Sequence, residues 1–406
     1  MDNMEEANLP LEGLKVIDCT TLLAGGMMTM LLADFGAEVI KVEHPKKGDS
    51  LRVFGQGPLK NGASSWWTVF SRNKKTITLD LSREEGKELF KRLIKDADIL
   101  VENFRTGTFE KWGIGYNELK TINSRIIMVS ITGFGQTGPY RNRTGFGTLA
   151  EAMSGYSHIT GYADGPPTLP AFALADGVTA LTGAYSLMFA VYHRDIKGTG
   201  EGQHIDLTLY EPLLTVLGPQ ITEYDQLGFI QQRLGSRIPY AAPRNIYRTN
   251  DGQWVAVSAS SPAVAQRVFQ AIGQAELIQD PRFKDNVSRV ANVDELDKIV
   301  GSWIGEHSAD EVIQKFEECG AAVGPIYDVS QLLGDRHVKA RESIVEINDP
   351  GLGKIKMQNV MPKFSKTPGR IRHVGQHLGQ DNHEVYIKKL GVNEAEFTRL
   401  RAEGII

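Results

Sequence analysis

One carboxylate in this chain stands where an acid needs a reason. Asp176 lies in Pro170-Ala171-Phe172-Ala173-Leu174-Ala175-Asp176-Gly177-Val178-Thr179, among small and apolar residues, and the chain continues through Ala184 to Tyr192 as an apolar helix. Two readings fit these residue types. An Asp before a helix caps it, its side chain accepting unpaired backbone N–H groups of the first turn. Alternatively the acid is a nucleophile: a poorly solvated carboxylate aimed by the backbone can attack a carbonyl carbon, and Gly177 lets a bulky substrate come close to the main chain. The stretch alone leaves both open.

The elements around it narrow the choice. Gly13–Asp18 reads as a strand, Ala24-Gly25-Gly26 opens a helix that Gly36 stops after Phe35, and Ala37–Glu43 reads as a second strand. Gly25-Gly26 lacks the further spaced glycine of a dinucleotide fingerprint, which argues against nicotinamide or flavin. A helix at Glu84–Lys95, a strand at Asp98–Val101, a helix at Tyr116–Ile122 and a strand at Ile126–Ile131 follow. This alternation predicts an α/β fold with a Rossmann-like, mostly parallel sheet, whose ligands bind beyond the carboxyl ends of the strands. Asp18, Glu43, Glu102-Asn103 and Thr132-Gly133 lie at those ends, accompanied by Lys46, Lys47, Arg72, Lys74, Lys75, Arg105, Arg141 and Arg143. Singly these are surface residues; together they describe a basic rim suited to a phosphorylated ligand.

Beyond Tyr192 a glycine-rich turn, Lys197–Gly202, precedes a strand-like Gln203–Leu209. A hairpin, Ile246–Thr249 and Trp254–Ser258 around Asn250-Asp251-Gly252, then opens a smaller α+β domain with helices at Ala263–Ile272, Val293–Ile304 and Ala309–Cys319. Strands at Ser343–Ile347 and Lys354–Asn359 need a larger body to pack on. The expected organisation is a large domain over 1–200, a linker at 201–225, a small domain at 226–335, and a return to the large domain over 336–406.

Composition excludes several classes. The formal charge of −4 provides no global basic field for nucleic acid. Cys19 and Cys319 offer neither a disulfide framework nor a metal spacing, and Met1–Glu6 is not a signal peptide, so a reducing cytoplasm is expected. His373 and His377 have the spacing of a helical metal pair, but Gly375 between them argues against a helix, and no metal site is expected. Asp176, Gly177, Thr179, Thr182 and Gly183 interrupt the apolar run from Leu174 to Tyr192, so no membrane span is expected.

Several segments now point to a family. Leu11–Asp18, Gly36–Glu43, Asn73-Lys74-Lys75, Val101-Glu102-Asn103-Phe104, Thr132–Pro139, Gly198–Gln203 and Asn359–Pro362 occur in the order in which the family III CoA-transferases carry them, and the chain resembles that family over nearly its whole length. The resemblance implies that Asp176 is the nucleophile, passing through mixed anhydrides and an aspartyl-CoA thioester. It implies no permanently bound cofactor, with CoA and acyl-CoA as substrates. It places CoA against Thr21-Leu22-Leu23-Ala24, Lys74, Lys75, Asn103-Phe104-Arg105 and Lys111, with Arg143 added from the basic rim. It also implies an interlocked dimer, either of identical chains or of this chain as the catalytic subunit with a homologous partner.

Differences from the family's branches bear on the substrate. Formyl-CoA transferases carry His and Gln where this chain has Thr21 and Leu23, and their glycine-rich lid is replaced by Ile238–Asn245, which argues against formyl or oxalyl groups. The related α-methylacyl-CoA racemases need a His in a Gly-His-Asp motif; here the positions read Gly145-Phe146-Gly147, and phenylalanine exchanges no proton. Racemase activity is the alternative, and a non-catalytic partner subunit would have lost Asp176. Succinyl-CoA or a similar thioester is the expected donor, to a small carboxylic acid. Arg143, Arg237 or Arg244 could hold a second carboxylate, and Tyr156 and Tyr240 could line a pocket for a larger acid.

Overall fold

The computed structural model describes residues 9–406; the stretch Met1–Glu6, read above for targeting, lies outside them. Six strands build the central sheet: β1 (Lys15–Asp18), β2 (Glu38–Glu43), β3 (Lys75–Thr78), β4 (Ile99–Glu102), β5 (Ile127–Thr132) and β6 (His204–Thr208), in the order β3-β2-β1-β4-β5-β6. Every neighbouring pair is parallel. This is the doubly wound order in which the chain reverses direction across the sheet between β1 and β4, leaving a crevice outside their carboxyl ends.

A parallel sheet is covered on both faces, so its strands are apolar throughout, and successive residues of a strand enter opposite cores. Val16, Ile99 and Val129 pack under α1 (Ala24–Asp34) with Met28 and Leu32. Ile17, Leu100 and Met128 meet Leu89, Phe90 and Leu93 of α2 (Glu84–Lys95) on the other face. Two helices matter for the site: α3 (Gly147–Met153) and the long α4 (Leu174–Val191), whose Ala180 and Leu187 join the α1 side of the core. With its continuation to Ile196, α4 is 23 residues long and apolar enough to cross a membrane by length and composition, so the interruptions counted in the sequence do not shorten it. One face of it, with Ala175, Thr179, Ala180 and Gly183, is buried in the protein, while Leu181, Tyr185 and Phe189 are exposed. The continuation carries a buried Arg194 paired to Asp98 at 3.0 Å and Asp195 at 2.8 Å.

The chain divides into two compact units. One takes in the residues up to Ser154, then Pro170–Gly218 and Ala340–Ile406; the other is Gly155–Leu169 and Pro219–Lys339. Three boundaries differ from the sequence reading, one of them only by residues 336–339, which stay with the second unit. The stretch 201–225, expected as a linker, contains β6, which pairs with β5 from Met128↔His204 to Thr132↔Thr208 and buries Leu207. Residues 155–169, expected in the large domain, belong to the other unit. That unit has a three-stranded antiparallel sheet, β7 (Arg244–Arg248), β8 (Trp254–Ser258) and β9 (Val323–Pro325), with α5 (Pro262–Ala271), α6 (Val293–Gly305) and α7 (Ala309–Glu318). Its core is Val255, Phe269, Val300 and Phe316, and Tyr247 donates its hydroxyl to Asp297 at 2.6 Å. The returning segment forms the hairpin β10 (Ile344–Asp349) and β11 (Gly353–Gln358), then α8 (Glu394–Ala402), whose Phe397 and Leu400 join the α2 side of the core.

A buried ionic cluster fixes the end of β1. Asp18 takes Lys74 Nζ at 3.0 Å and Lys41 Nζ at 3.3 Å, and Lys41 also meets Asp49 at 2.9 Å. The hydroxyls of Thr29 and Thr20 donate to Asp18 at 2.6 and 2.7 Å. Burial opposes charge on Asp18, but Lys41, Lys74 and the two hydroxyls outweigh it and hold the carboxyl well below the usual carboxylate range. Removing one member of such a buried set strands the others and costs about 3–5 kcal/mol.

Candidate active site

The loops that leave β1 and β4 are tied across the sheet's reversal point. Thr21 N–H donates to Asn103 Oδ1 at 2.8 Å, and Asn103 Nδ2 donates to the Thr21 carbonyl at 2.7 Å. Leu22, with φ of 62°, adopts the left-handed conformation that a branched side chain resists, and its N–H donates to Asp49 at 3.0 Å. After β4, Glu102 accepts the Phe104 N–H at 2.7 Å; burial pushes the Glu102 carboxyl up to about 7. Phe104 packs edge-on to Trp112 with ring centroids 5.2 Å apart, which sets the loop carrying Arg105 and Lys111.

After β5 the chain turns over the same crevice. Gly133 and Gly145 touch backbone to backbone, each standing where a Cβ on the other would lie 2.5 Å from its Cα. That contact pins the Arg141–Phe146 loop to the strand end, and Arg143 rests 3.6 Å above the Tyr140 ring. Together these loops enclose a cavity of about 400 Å³. A second cavity of about 460 Å³, with His44, Lys47, Asp80 and Trp112 in its wall, shares Thr21 and Phe104 with it.

Asp176 projects into the first cavity from the first turn of α4. It is not the cap: Ala173 holds that position, and no side chain caps the helix. What holds Asp176 is α3. A Cβ placed on Gly147 would stand 2.3 Å from Asp176 Oδ2, so only glycine leaves room for the carboxylate. One turn along, the buried Glu151 accepts the Ala175 N–H at 3.1 Å. Burial first and Glu151 second raise the Asp176 carboxyl to about 6, against the backbone N–H groups of Asp176 itself and of Ala24 at the start of α1. Those N–H groups are the positive ends of two helices and favour negative charge on the carboxyl.

The cavity wall carries four cations, Arg105, Lys111, Arg141 and Arg143, and one acid, Asp176. Among the described residues none of the four forms an ion pair, so the wall of this cavity is net positive around a single carboxylate.

Of the residues singled out in the sequence, Thr21, Leu22, Ala24, Asn103, Phe104, Arg105, Lys111, Arg143 and Asp176 come together in this wall. Leu23, Lys74 and Lys75 do not. Leu23 turns into the core before α1. Lys74 is fully buried, its Nζ donating to Asp18 and to the Gly26 carbonyl at 2.7 Å, and Lys75 pairs with Glu38 at 2.9 Å and Glu384 at 2.6 Å. Arg72 likewise serves Asp34, at 2.6 Å. Of the three arginines considered for a second carboxylate, Arg143 lines this cavity, while within the other unit Arg237 pairs with Asp294 and Asp297 and Arg244 donates to the Ser236 carbonyl. Sequence reasoning missed Glu151 and Gly147. The signal was their four-residue spacing on one short helix, with an acid in an otherwise apolar Ala150–Met153 run.

A sequence profile of CoA-transferase family III matches residues 11–382. The chain belongs to that family. This family III CoA-transferase is 43% identical to succinyl-CoA–D-citramalate CoA-transferase of Chloroflexus aurantiacus, over 98% of both chains. It is 39% identical to the beta subunit of succinyl-CoA–L-malate CoA-transferase from the same organism, again over 98% of both. Among solved structures, a CaiB/BaiF family protein from Brucella suis superposes with a TM-score of 0.82 at 32% identity, covering 94% of this chain and 99% of the other. The α/β fold and the family expected from the sequence motifs therefore stand, and the protein is an enzyme that transfers CoA between CoA thioesters and acids.

Proposed function

We propose that this CoA-transferase moves CoA from succinyl-CoA, or a close analogue, to a small dicarboxylic acid of the citramalate and malate kind, through an Asp176-CoA thioester. The observation that carries the reading is Asp176 itself, the one acid among the described residues of a cavity wall whose four cations form no ion pair among those residues. Its carboxylate attacks the thioester carbonyl, the C–S bond breaks, and CoA leaves as the thiolate. The thiolate attacks the aspartyl carbonyl of the mixed anhydride, the anhydride C–O bond breaks, and the donor acid departs as a carboxylate. The acceptor acid then runs both steps in reverse. A serine ester would fall below the thioester in energy, whereas anhydride and aspartyl thioester keep the activation provided water is excluded. Arg105, Lys111 and Arg141 suit the phosphates of CoA, and the stacked Arg143 suits a bidentate contact to phosphate or to an acid's distal carboxylate. Phe146, in the wall where a racemase needs a proton carrier, has no proton to move.

The enzyme with succinyl-CoA and separate samples of D-citramalate, L-malate, glutarate and formate tests this, with hydroxylamine trapping and peptide mass. A label on Asp176 and faster transfer to the dicarboxylates are expected; labelling elsewhere, or preference for formate, overturns it. Attack needs the ionised carboxylate, and the carboxyl is raised to about 6 by burial and Glu151. Acylation should therefore rise with pH through that region and level off above it, and a flat profile from pH 5 to 8 counts against Asp176.

We also propose that the working enzyme is a dimer, of identical chains or with a homologous subunit. Leu181, Tyr185 and Phe189 recur at four-residue spacing on α4 and stand more than half exposed, at 55%, 51% and 67%. A relative named as a beta subunit supports the heteromeric form. Sedimentation at micromolar concentration should show a dimer; a folded monomer, with activity, refutes it.

A further inference from the structure

We infer that Glu151 is a positioning residue for CoA transfer: its buried carboxylate on α3, bonded to the backbone beside the nucleophile, repels the ionised Asp176 and so favours the acylated enzyme. The inference rests on the reading of Asp176 as the acylated group.

The geometry comes from two helices in contact. Gly147 opens α3 and presses on the Asp176 carboxylate, and Glu151 lies one turn further along the same face. Its Oε1 accepts the N–H of Ala175, the residue before the nucleophile, at 3.1 Å, and both residues are buried, at 3% and 0% exposure. A buried carboxylate this close to another raises the free energy of having both ionised. The other charged groups near Asp176, Arg105, Lys111, Arg141 and Arg143, come from loops after β4 and β5 and line the open cavity, where a bound anionic substrate engages them. From α1 only the Ala24 N–H bears on the carboxyl. Glu151 therefore stands against the nucleophile from the protein side.

Charge bookkeeping shows what this achieves. Free Asp176 carries one negative charge. On acylation that charge passes to the CoA thiolate and then leaves on the released acid, so the aspartyl thioester is neutral. The repulsion from Glu151 exists before the reaction and vanishes after it. A transferase has to hold its intermediate at an energy near that of its substrates, and a like charge set behind the nucleophile raises the free state towards the thioester.

Glu151→Gln separates this role from a structural one, because the amide oxygen can still accept the Ala175 N–H while the charge is gone. In the full-length enzyme with succinyl-CoA and succinate at a fixed ratio, the ratio of thioester to free Asp176 should fall about tenfold, with the acylation midpoint moving down by about one pH unit. Glu151→Asp keeps the charge and should hold the thioester ratio within a factor of about three even if kcat falls. Wild-type ratio and midpoint in Glu151→Gln, or the same ratio in the Gln and Asp variants, would overturn the inference. If Glu151→Gln does not fold, the Asp variant decides alone: a tenfold loss of thioester there overturns it as well. Failure of the parent reading looks different, since wild-type enzyme would then form no thioester at Asp176.

Discussion

Asp176→Asn should lower CoA transfer by about 10³-fold or more while leaving acyl-CoA binding nearly intact. The amide keeps the shape and the neighbours of the carboxylate, so the cations of the cavity wall are undisturbed; on the proposed mechanism what disappears is the oxygen that would form the anhydride. The stability effect should run the other way. An acid whose folded pKa is raised destabilises the native state once it is ionised: its penalty is absent below pH 3.8, grows as pH rises towards about 6, and is constant above. The two-unit rise corresponds to about 3 kcal/mol as an upper bound. Asp176→Asn is therefore expected to unfold at higher urea than wild type at pH 7.5, and to lose that advantage at pH 4. A variant that is inactive and also less stable at pH 7.5 would mean that Asp176 supports the fold rather than the chemistry. Catalytic groups commonly carry this trade, because a poorly solvated charge is reactive for the reason that it is costly.

The second large effect is expected at a residue with no functional group. Gly147→Ala places a methyl 2.3 Å from Asp176 Oδ2, and the carboxylate is the part that yields, since it ends a short side chain beside an open cavity. The helix itself loses nothing, as Ala is the better helix former at the first position of α3. We expect kcat to fall by about 10²-fold with the KM for succinyl-CoA within a factor of about three, the signature of a misaimed nucleophile rather than a lost binding contact. Calorimetry should show little change in unfolding temperature. A KM that rises while kcat holds would place Gly147 in the substrate's path instead.

Much of this protein is legible in its sequence. Apolar strands such as Ile99–Val101, separated by amphipathic helices such as Glu84–Lys95, imply a parallel sheet because a strand buried on both faces must be apolar throughout. Asp176 stood out for the complementary reason, a charge in a run that otherwise buries well. The strand order, the cavity and its cations follow from where connections land, and Asn103 could be tied to Thr21 only once β1 and β4 were seen to be neighbours.

Ionic residues divide the sequence's reach from the structure's. Lys74 and Arg105 look alike in a sequence, each a cation near a strand of the sheet. One is sealed against Asp18, the other lines the cavity beside Asp176, and only packing decides which, because the long stem of a lysine or arginine can turn towards core or solvent from the same backbone position. Gly147 and Glu151 show the same limit. Their four-residue spacing marks a shared helix face, but not that the glycine lies beneath a carboxylate twenty-nine residues later or that the acid is its electrostatic neighbour. The amino-acid order determined the fold class and the family motifs, and singled out Asp176 as the candidate nucleophile. Tertiary contact between α3 and α4 decided how that carboxylate is placed and charged, since both depend on distances of a few ångströms between segments that sequence spacing leaves unset.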